Sequence, residues 1–424
     1  MAQEINPQAI MEFLKPRMGM RFKTWMNICT HCGLCADTCH FYGPSGNDPK
    51  MVPAHKVRFL KDLLKKKGRV DRAYLEQVYD TIYHECNMCR RCSLYCPFGI
   101  DIASLISLLR SLLFFQGVAP EGLLKAIENY KVFGNQMAMS QEDWLETLAW
   151  CEEETQEELV GLEIPVDKQG ARMLYTVNAR EPMFYPQDIM EVAKIFHVAG
   201  EDWTFCSESG WDDTNLAMFC GDVKTARSIV ENTFKQADKL EVRHVGVTEC
   251  GHAYRALRYE APGWLGYKPK QEVIHSVELF HDYIRDGRIK LRHKLKEPTT
   301  VQDPCNVVRN GGLAEKNRRL AEYLSEDFRP MKLQGNYNIC CGGGGGAMPM
   351  GGEMRKHRLK SGKLKAEQIR ETGAKVVFVP CHNCIDQIRD LSKEYDLDVK
   401  AIHFKEAICE LMEIPDEMKP PEDE

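Results

Sequence analysis

Two hydrophobic periodicities divide this chain. Up to about residue 168, apolar residues recur at the spacing of amphipathic helices. Met11, Phe13, Leu14, Met18 and Met20 give an N-terminal helix its apolar surface, and Trp25 and Met26 follow. Val57, Phe59, Leu60, Leu63 and Leu64 predict a second helix, and Tyr74, Val78, Ile82 and Tyr83 a third. A fourth carries Ile102, Leu105, Ile106, Leu109, Leu112 and Leu113, with Asp101 placed to cap its start and Gly117 near its end. Residues 118–168 read as a helical, acidic connector with Glu152, Glu153, Glu154, Glu157 and Glu158. From about Ala171 short apolar strands alternate with amphipathic helices, the signature of a parallel α/β arrangement.

The α/β pattern occurs twice, as an internal repeat. Glu181-Pro182-Met183 matches Asp303-Pro304-Cys305, and Phe219-Cys220-Gly221 matches Cys340-Cys341-Gly342. Val245–Thr248 with Cys250-Gly251-His252-Ala253 matches Val376–Val379 with Cys381-His382-Asn383-Cys384. Val273-Ile274-His275 matches Ala401-Ile402-His403, which implies a structural role for both histidines. The expected fold is α+β and multidomain. An all-α domain covers residues 1–117, a helical connector 118–168, and two repeated α/β domains with parallel sheets 169–294 and 295–414. The Pro- and Glu-rich tail 415–424 is expected to be disordered.

Composition narrows the class. The chain has 424 residues and a net charge of −6, which does not suit a nucleic-acid partner. Met1–Pro16 carries acids and no apolar stretch, so no signal peptide is expected. The most apolar helix, Ile102–Val118, is short for a membrane span and is interrupted by Arg110. The 18 cysteines fall mostly in metal-ligand spacings, which points to a reducing cytoplasm rather than a disulfide scaffold. Cys151 is isolated, a core or surface thiol, and Cys206 sits in an extra loop.

Cys29, Cys32, Cys35 and Cys39 follow the spacing C-x2-C-x2-C-x3-C. Cys86, Cys89, Cys92 and Cys96 repeat it, with Pro97 next. This is the spacing of bacterial two-cluster ferredoxins, in which the fourth cysteine of each run ligates the other cluster. Two [4Fe-4S] cubane clusters are therefore expected, one on Cys29, Cys32, Cys35 and Cys96 and one on Cys86, Cys89, Cys92 and Cys39. A zinc site would use two CxxC-type pairs, not two four-cysteine runs. His40 stands where many such motifs have proline. Arg90 and Arg91, inside the second run, are expected to face solvent, with tuning of a cluster potential or docking of a partner as the alternatives. So is the basic run Lys61–Arg69, with docking to an acidic partner or anionic headgroups as the alternative. The long insert Phe41–Glu85 makes this part similar to the α-helical ferredoxin domain of succinate dehydrogenase iron–sulfur subunits.

Five further cysteines, Cys305, Cys340, Cys341, Cys381 and Cys384, fall in three groups, and glycines Gly342–Gly346 follow the adjacent pair. Adjacent cysteines make a poor disulfide, because Cα atoms one peptide apart are only ~3.8 Å from each other. Both can point at one multinuclear iron–sulfur cluster, which Gly342, Gly343 and Gly344 can approach with backbone N–H groups. Scattered core cysteines are the alternative, and the ordered grouping disfavours it.

This stretch resembles the CCG domain of the B and D subunits of heterodisulfide reductase. The same domain occurs in the K subunit of the Dsr membrane complex and in iron–sulfur subunits of glycolate and glycerol-3-phosphate dehydrogenases. The resemblance implies that Cys305, Cys340, Cys341, Cys381 and Cys384 hold one noncubane [4Fe-4S] cluster that binds and splits a disulfide. His382, between two of those ligands, is a candidate proton donor or a hydrogen-bond partner of a cluster sulfur. The first repeat has Met183, Phe219 and Ala253 where three ligands would stand and keeps only Cys220 and Cys250, so no cluster is expected there. This mixture, with Trp25–Cys29 and Cys250–Arg255, is similar to the Dsr K subunit and its Hmc and Tmc counterparts. The implied role is a cytoplasmic electron-transfer subunit, held peripherally at the inner membrane by a cytochrome b-like subunit. A multihaem cytochrome c, menaquinone and other complex subunits are further implied partners. The substrate would be a disulfide or persulfide. Two alternatives stay open. One is a pure electron conduit between a membrane cytochrome and a soluble carrier. The other is the iron–sulfur subunit of a flavin-linked dehydrogenase, whose flavin would sit on another subunit because this chain has no GxGxxG fingerprint.

Overall fold

The computed structural model describes residues 5–421. Its longer helices, in chain order, begin with α1 (Pro7–Arg17), α2 (Met20–Ile28), α3 (Arg58–Lys65), α4 (Arg72–Tyr79), α5 (Ile102–Phe115), α6 (Glu121–Phe133) and α7 (Gln141–Gln156). Local chemistry sets their ends. Asp71 accepts the Tyr74 N–H at 2.8 Å to start α4, and Asp101 accepts the Ser104 N–H at 3.3 Å to start α5. Ser140 and Asp143 form a capping box at the start of α7. α5 is buried almost all round and is the centre of the N-terminal helices, with α1, α3 and α4 against it. No helix among the described residues is long and apolar enough to cross a membrane.

The second half holds two parallel sheets. β1 (Met173–Thr176), β2 (Trp203–Thr204), β3 (His244–Val247) and β4 (Glu272–His275) form one in the order β2-β1-β3-β4. β5 (Thr299–Val301), β6 (Val376–Phe378) and β7 (Lys400–Ile402) form the other in that order. Helices α8 (Gln187–Val198), α9 (Val223–Lys239), α10 (Ser276–Arg285), α11 (Ala314–Leu324), α12 (Gly352–Thr372), α13 (His382–Glu394) and α14 (Phe404–Leu411) surround them. β1 is buried along its whole length, as expected for a strand covered on both faces. In and after β6 the side chains alternate: Val376 and Phe378 join the core of the first sheet, while Val377 and Val379 pack with Met331 and Leu359.

Three expectations change. Met20 is 83% exposed and adds nothing to the core. Arg91 is buried, not solvated. It donates to the carbonyls of Thr38 and, at 3.2 Å, Tyr337, so it ties the second cysteine run to the C-terminal half. The tail up to 421 is ordered: Val160 donates to the Met418 carbonyl at 2.9 Å, and Met418 packs against the core. Residues 422–424 of the expected disordered tail lie outside the described residues.

Candidate functional site

The two ferredoxin-like runs fold into loops of the same shape. His31 (φ 59°) and Gly33 (φ 87°) are left-handed in the first, and Met88 (φ 50°) and Arg90 (φ 63°) stand at the same positions of the second. Left-handed conformations are uncommon for residues other than glycine. Here they curl the loop inward around its thiols, and Met88 N–H lies 3.4 Å from the Cys86 sulfur. Cys29, Cys32, Cys35 and Cys96 line one open hollow of about 1250 Å³, where Cys32 is exposed. Cys39, Cys86, Cys89 and Cys92 line a more enclosed one of about 440 Å³. The fourth cysteine of each run thus crosses to the other set.

Cys305, Cys340, Cys341, Cys381 and Cys384, far apart in sequence, line a single cavity of about 370 Å³. All five are buried, and the Cys341 and Cys384 sulfurs are 3.3 Å apart. Cys381 and Cys384 are one helical turn apart at the start of α13, so both face the cavity. Gly342 N–H points to the Cys340 sulfur at 3.4 Å and Gly343 N–H to the Cys341 sulfur at 3.5 Å, while Gly344 lines the cavity. Contacts with Cys340 and Cys384 and the Gly343 N–H hold Cys341 well below the usual thiol range. Cys340, against Cys305, Cys341 and Cys89, is pushed up.

His382 is not brought into this cavity. One position past Cys381 on the helix, its ring turns the other way. It meets the Glu181 carboxylate, lies 3.6 Å from Asp188, and packs on the His403 ring at 4.7 Å. Burial, and Lys405 beside it, lower its pKa to about 3, so it is neutral. Lys405 lies 3.2 Å from both Glu181 and Asp188. Burial opposes its charge, but Asp188, Glu181 and Glu249 outweigh that and hold it cationic. The network joins the two sheet units. It does not reach the five thiols.

The cavity has neighbours that the sequence did not point out. His252 and Asn383 both line it. In the repeat they stand at equivalent positions, three residues before Arg255 and Asp386. Burial lowers the His252 pKa to about 4. Both residues also line an adjoining cavity of about 940 Å³. His40, the residue in place of proline, is buried and lies with Cys89 and Cys340, their polar atoms within 4.8 Å of one another. His40 bonds Asn87 at 2.8 Å, and Asn87 donates to the carbonyls of Gly342 at 3.1 Å and Gly344 at 2.7 Å. Arg110 donates to the carbonyls of Cys86 at 2.6 Å, Phe219 at 2.9 Å and Gly345 at 2.7 Å. The enclosed thiol set and the five-cysteine cavity are therefore bolted together.

Residues 25–100 match the 4Fe-4S dicluster domain, and residues 299–389 match the cysteine-rich domain CCG. The chain carries a 4Fe-4S dicluster domain and a CCG domain, and it is similar to iron–sulfur subunits of heterodisulfide reductase and its relatives. It is 24% identical over 444 residues to the Hdr-like menaquinol oxidoreductase iron-sulfur subunit 2 of Archaeoglobus fulgidus, covering 89% of this chain and 78% of that protein. It is 24% identical over 402 residues to the D subunit of the dihydromethanophenazine:CoB–CoM heterodisulfide reductase of Methanosarcina acetivorans, covering 88% and 91%. It is 22% identical over 430 residues to the EtfAB:quinone oxidoreductase of Syntrophomonas wolfei, covering 92% of this chain and 58% of that protein.

The thiol sets suit the iron–sulfur groups these domains carry: each offers four or five converging sulfurs, and the two more enclosed sets are met by backbone N–H groups. In the first sheet unit the strand register revises one match. Thr176 pairs with Val247, and Val301 pairs with Phe378. Cys250 and Cys381 each follow three residues later, so the residue in register with Cys305 is Arg180, not Met183. Arg180 pairs with Asp386 at 2.8 Å. Cys250 lies 3.3 Å from His252 Nδ1, and neither it nor Cys220 lines a cysteine-rich cavity. Cys151 and Cys206 are buried, and burial raises both thiols, Cys151 to about 12.

Proposed function

We propose that the chain carries electrons inward along three thiol sites and delivers them to a sulfur substrate at the last. In this reading Cys29, Cys32, Cys35 and Cys96 hold an outer cubane [4Fe-4S] cluster. Cys39, Cys86, Cys89 and Cys92 hold an inner one, and Cys305, Cys340, Cys341, Cys381 and Cys384 hold a noncubane [4Fe-4S] cluster. The two sheet units are two copies of the cysteine-rich domain, residues 169–294 and 295–414, and only the second keeps its ligands. The single observation that carries the proposal is the contact of Cys89 with Cys340, which leaves one thiol-to-thiol step between the enclosed set and the five-cysteine cavity.

When bound, the clusters supply one-electron steps and affinity for substrate sulfur. The chain supplies the rest. Gly342 and Gly343 direct N–H groups at ligand sulfurs, which favours the reduced state. Burial of the five cysteines excludes bulk water. His252 and Asn383 form the wall shared with the adjoining cavity, the route by which a disulfide or persulfide reaches the thiols. We place the chain on the cytoplasmic side of a membrane complex with a cytochrome b-like subunit. The likeness to the EtfAB:quinone oxidoreductase supports a second reading, an electron conduit without a disulfide substrate.

One experiment separates the two. The purified complex is reduced anaerobically and offered small and protein disulfides. Reoxidation that depends on disulfide and disappears in Cys341→Ala is the expected result. Reoxidation by soluble carriers alone, with every disulfide inert, favours the conduit.

A further inference from the structure

The N-terminal unit carries a charge of opposite sign to the rest of the chain. Residues 1–117 contain 16 Lys and Arg against 10 Asp and Glu, while the whole chain has 56 against 62. Much of the excess lies at the two ends of α1. At its N-terminal end, the turn Lys65–Arg69 abuts the first turn so closely that a Cβ on Gly68 would stand 2.4 Å from the Pro7 carbonyl oxygen. That turn exposes Lys65, Lys66, Lys67 and Arg69. At its C-terminal end, Lys15 and Arg17 are exposed, and Arg21 and Lys23 follow on α2. Among the described residues, none of these eight takes part in an ion pair.

Apolar side chains stand among these charges. Met20 is 83% exposed. Phe115 is 51% exposed and stacks on Phe13 with ring centroids 5.1 Å apart. The Arg17 guanidinium covers the other part of that pair, 4.0 Å from the Phe13 centroid. α1 spans about 16 Å, which sets the separation of the two basic groups. Uncompensated Lys and Arg with protruding Met and Phe suit the headgroup region of an anionic bilayer: the cations meet phosphates and the apolar groups enter the acyl boundary. An acidic protein surface would match the charges but leave Met20 in water.

We infer that this face binds anionic lipid directly, so that the chain itself, and not only its partner subunits, lies on the membrane. The inference rests on the membrane-side position proposed above, but not on the redox chemistry. It fixes an orientation. α2 begins at Met20 and ends one residue before Cys29, about 13 Å away. The open hollow of Cys29, Cys32, Cys35 and Cys96 is thereby held near the bilayer.

The test is sedimentation of the cluster-loaded chain, without turnover, on vesicles of mixed phosphatidylserine and phosphatidylcholine or of phosphatidylcholine alone. Binding is expected on the mixed vesicles, falling as salt rises. The triple variant Lys65→Glu, Lys66→Glu, Lys67→Glu should lose at least about a hundredfold in binding, at roughly fivefold per lost cation. Met20→Ser with Phe115→Ser should also weaken binding, and both variants should keep the iron content of the parent. No binding to the mixed vesicles at low salt overturns the inference. So does equal binding to both vesicle types, or binding only when a membrane subunit is embedded in the vesicles. Because the readout is lipid binding, the redox proposal can fail while this stands, and the reverse.

Discussion

Lys365 brings a cation into the interior beside the five-cysteine cavity. It is fully buried on α12. Burial lowers its pKa, while Asp303 and the thiols of Cys341, Cys340 and Cys384 favour its charge. A cation there stabilises the more reduced, more negative state of whatever those thiols bind. Lys365→Met keeps the length and removes the charge. It should lower the midpoint potential of the site by on the order of 100 mV, the scale of one unit charge at an effective dielectric of about 20. Potentiometric titration followed by electron paramagnetic resonance checks this, and the signals of the two ferredoxin-like sites should not move. At this scale the sequence shows ligands better than their surroundings. A thiol run has a spacing that can be read. Lys365, His40 and His252 acquire meaning only when stretches many residues away fold against them. His382 misled for a simple reason: adjacency to Cys381 in the chain is about 100° of rotation on a helix, and its ring leaves the cavity.

Among the elements, the glycine loop Gly342–Gly346 shows how closely two parts of the chain meet. Gly345 has φ 68°, and a Cβ there would lie 2.3 Å from the Asn87 carbonyl oxygen, inside the second ferredoxin-like run. Backbone cannot yield as a flexible side chain does. Gly345→Ala should therefore push the Cys86–Cys92 loop away from Cys340, or destabilise the chain by about 1–3 kcal/mol through overpacking. Pre-steady-state reduction is the measurement. The signals of the two ferredoxin-like sites should still be reduced at the parent's rate, with reduction of the five-cysteine site slowed tenfold or more, the expected direction for a lengthened path. The glycine run was visible in the sequence as a way for backbone to approach sulfur. That its last members serve the contact with Asn87 was not, because the partner lies more than 250 residues away. α5 was similarly half legible. Its apolar face and the Asp101 cap were readable, yet Arg110 looked like an interruption. Folded, it gathers carbonyls from three separate segments.

In the whole molecule the two sheets share one continuous core, to which Val301, Phe378 and Phe404 of the second unit and Tyr175 and Phe205 of the first all belong. The first unit is therefore held in place by packing whether or not it carries a metal group. The alternation of strands and helices predicted both units, but only strand pairing could set the register that puts Arg180 at the position equivalent to Cys305. With Arg180 engaged by Asp386 and Cys250 beside His252, the first unit lacks a converging set of thiols. This gives a prediction in iron. Two cubanes and one noncubane cluster require about 12 irons per chain, by four irons per cluster. Cys220→Ala with Cys250→Ala should leave that total unchanged. Cys341→Ala should reduce it to about 8, with both cubane signals intact. Anaerobic iron analysis with electron paramagnetic resonance on the three proteins decides the matter. Iron lost from the double variant would assign ligands to the first unit after all, and a parent total of about 8 would remove the noncubane site.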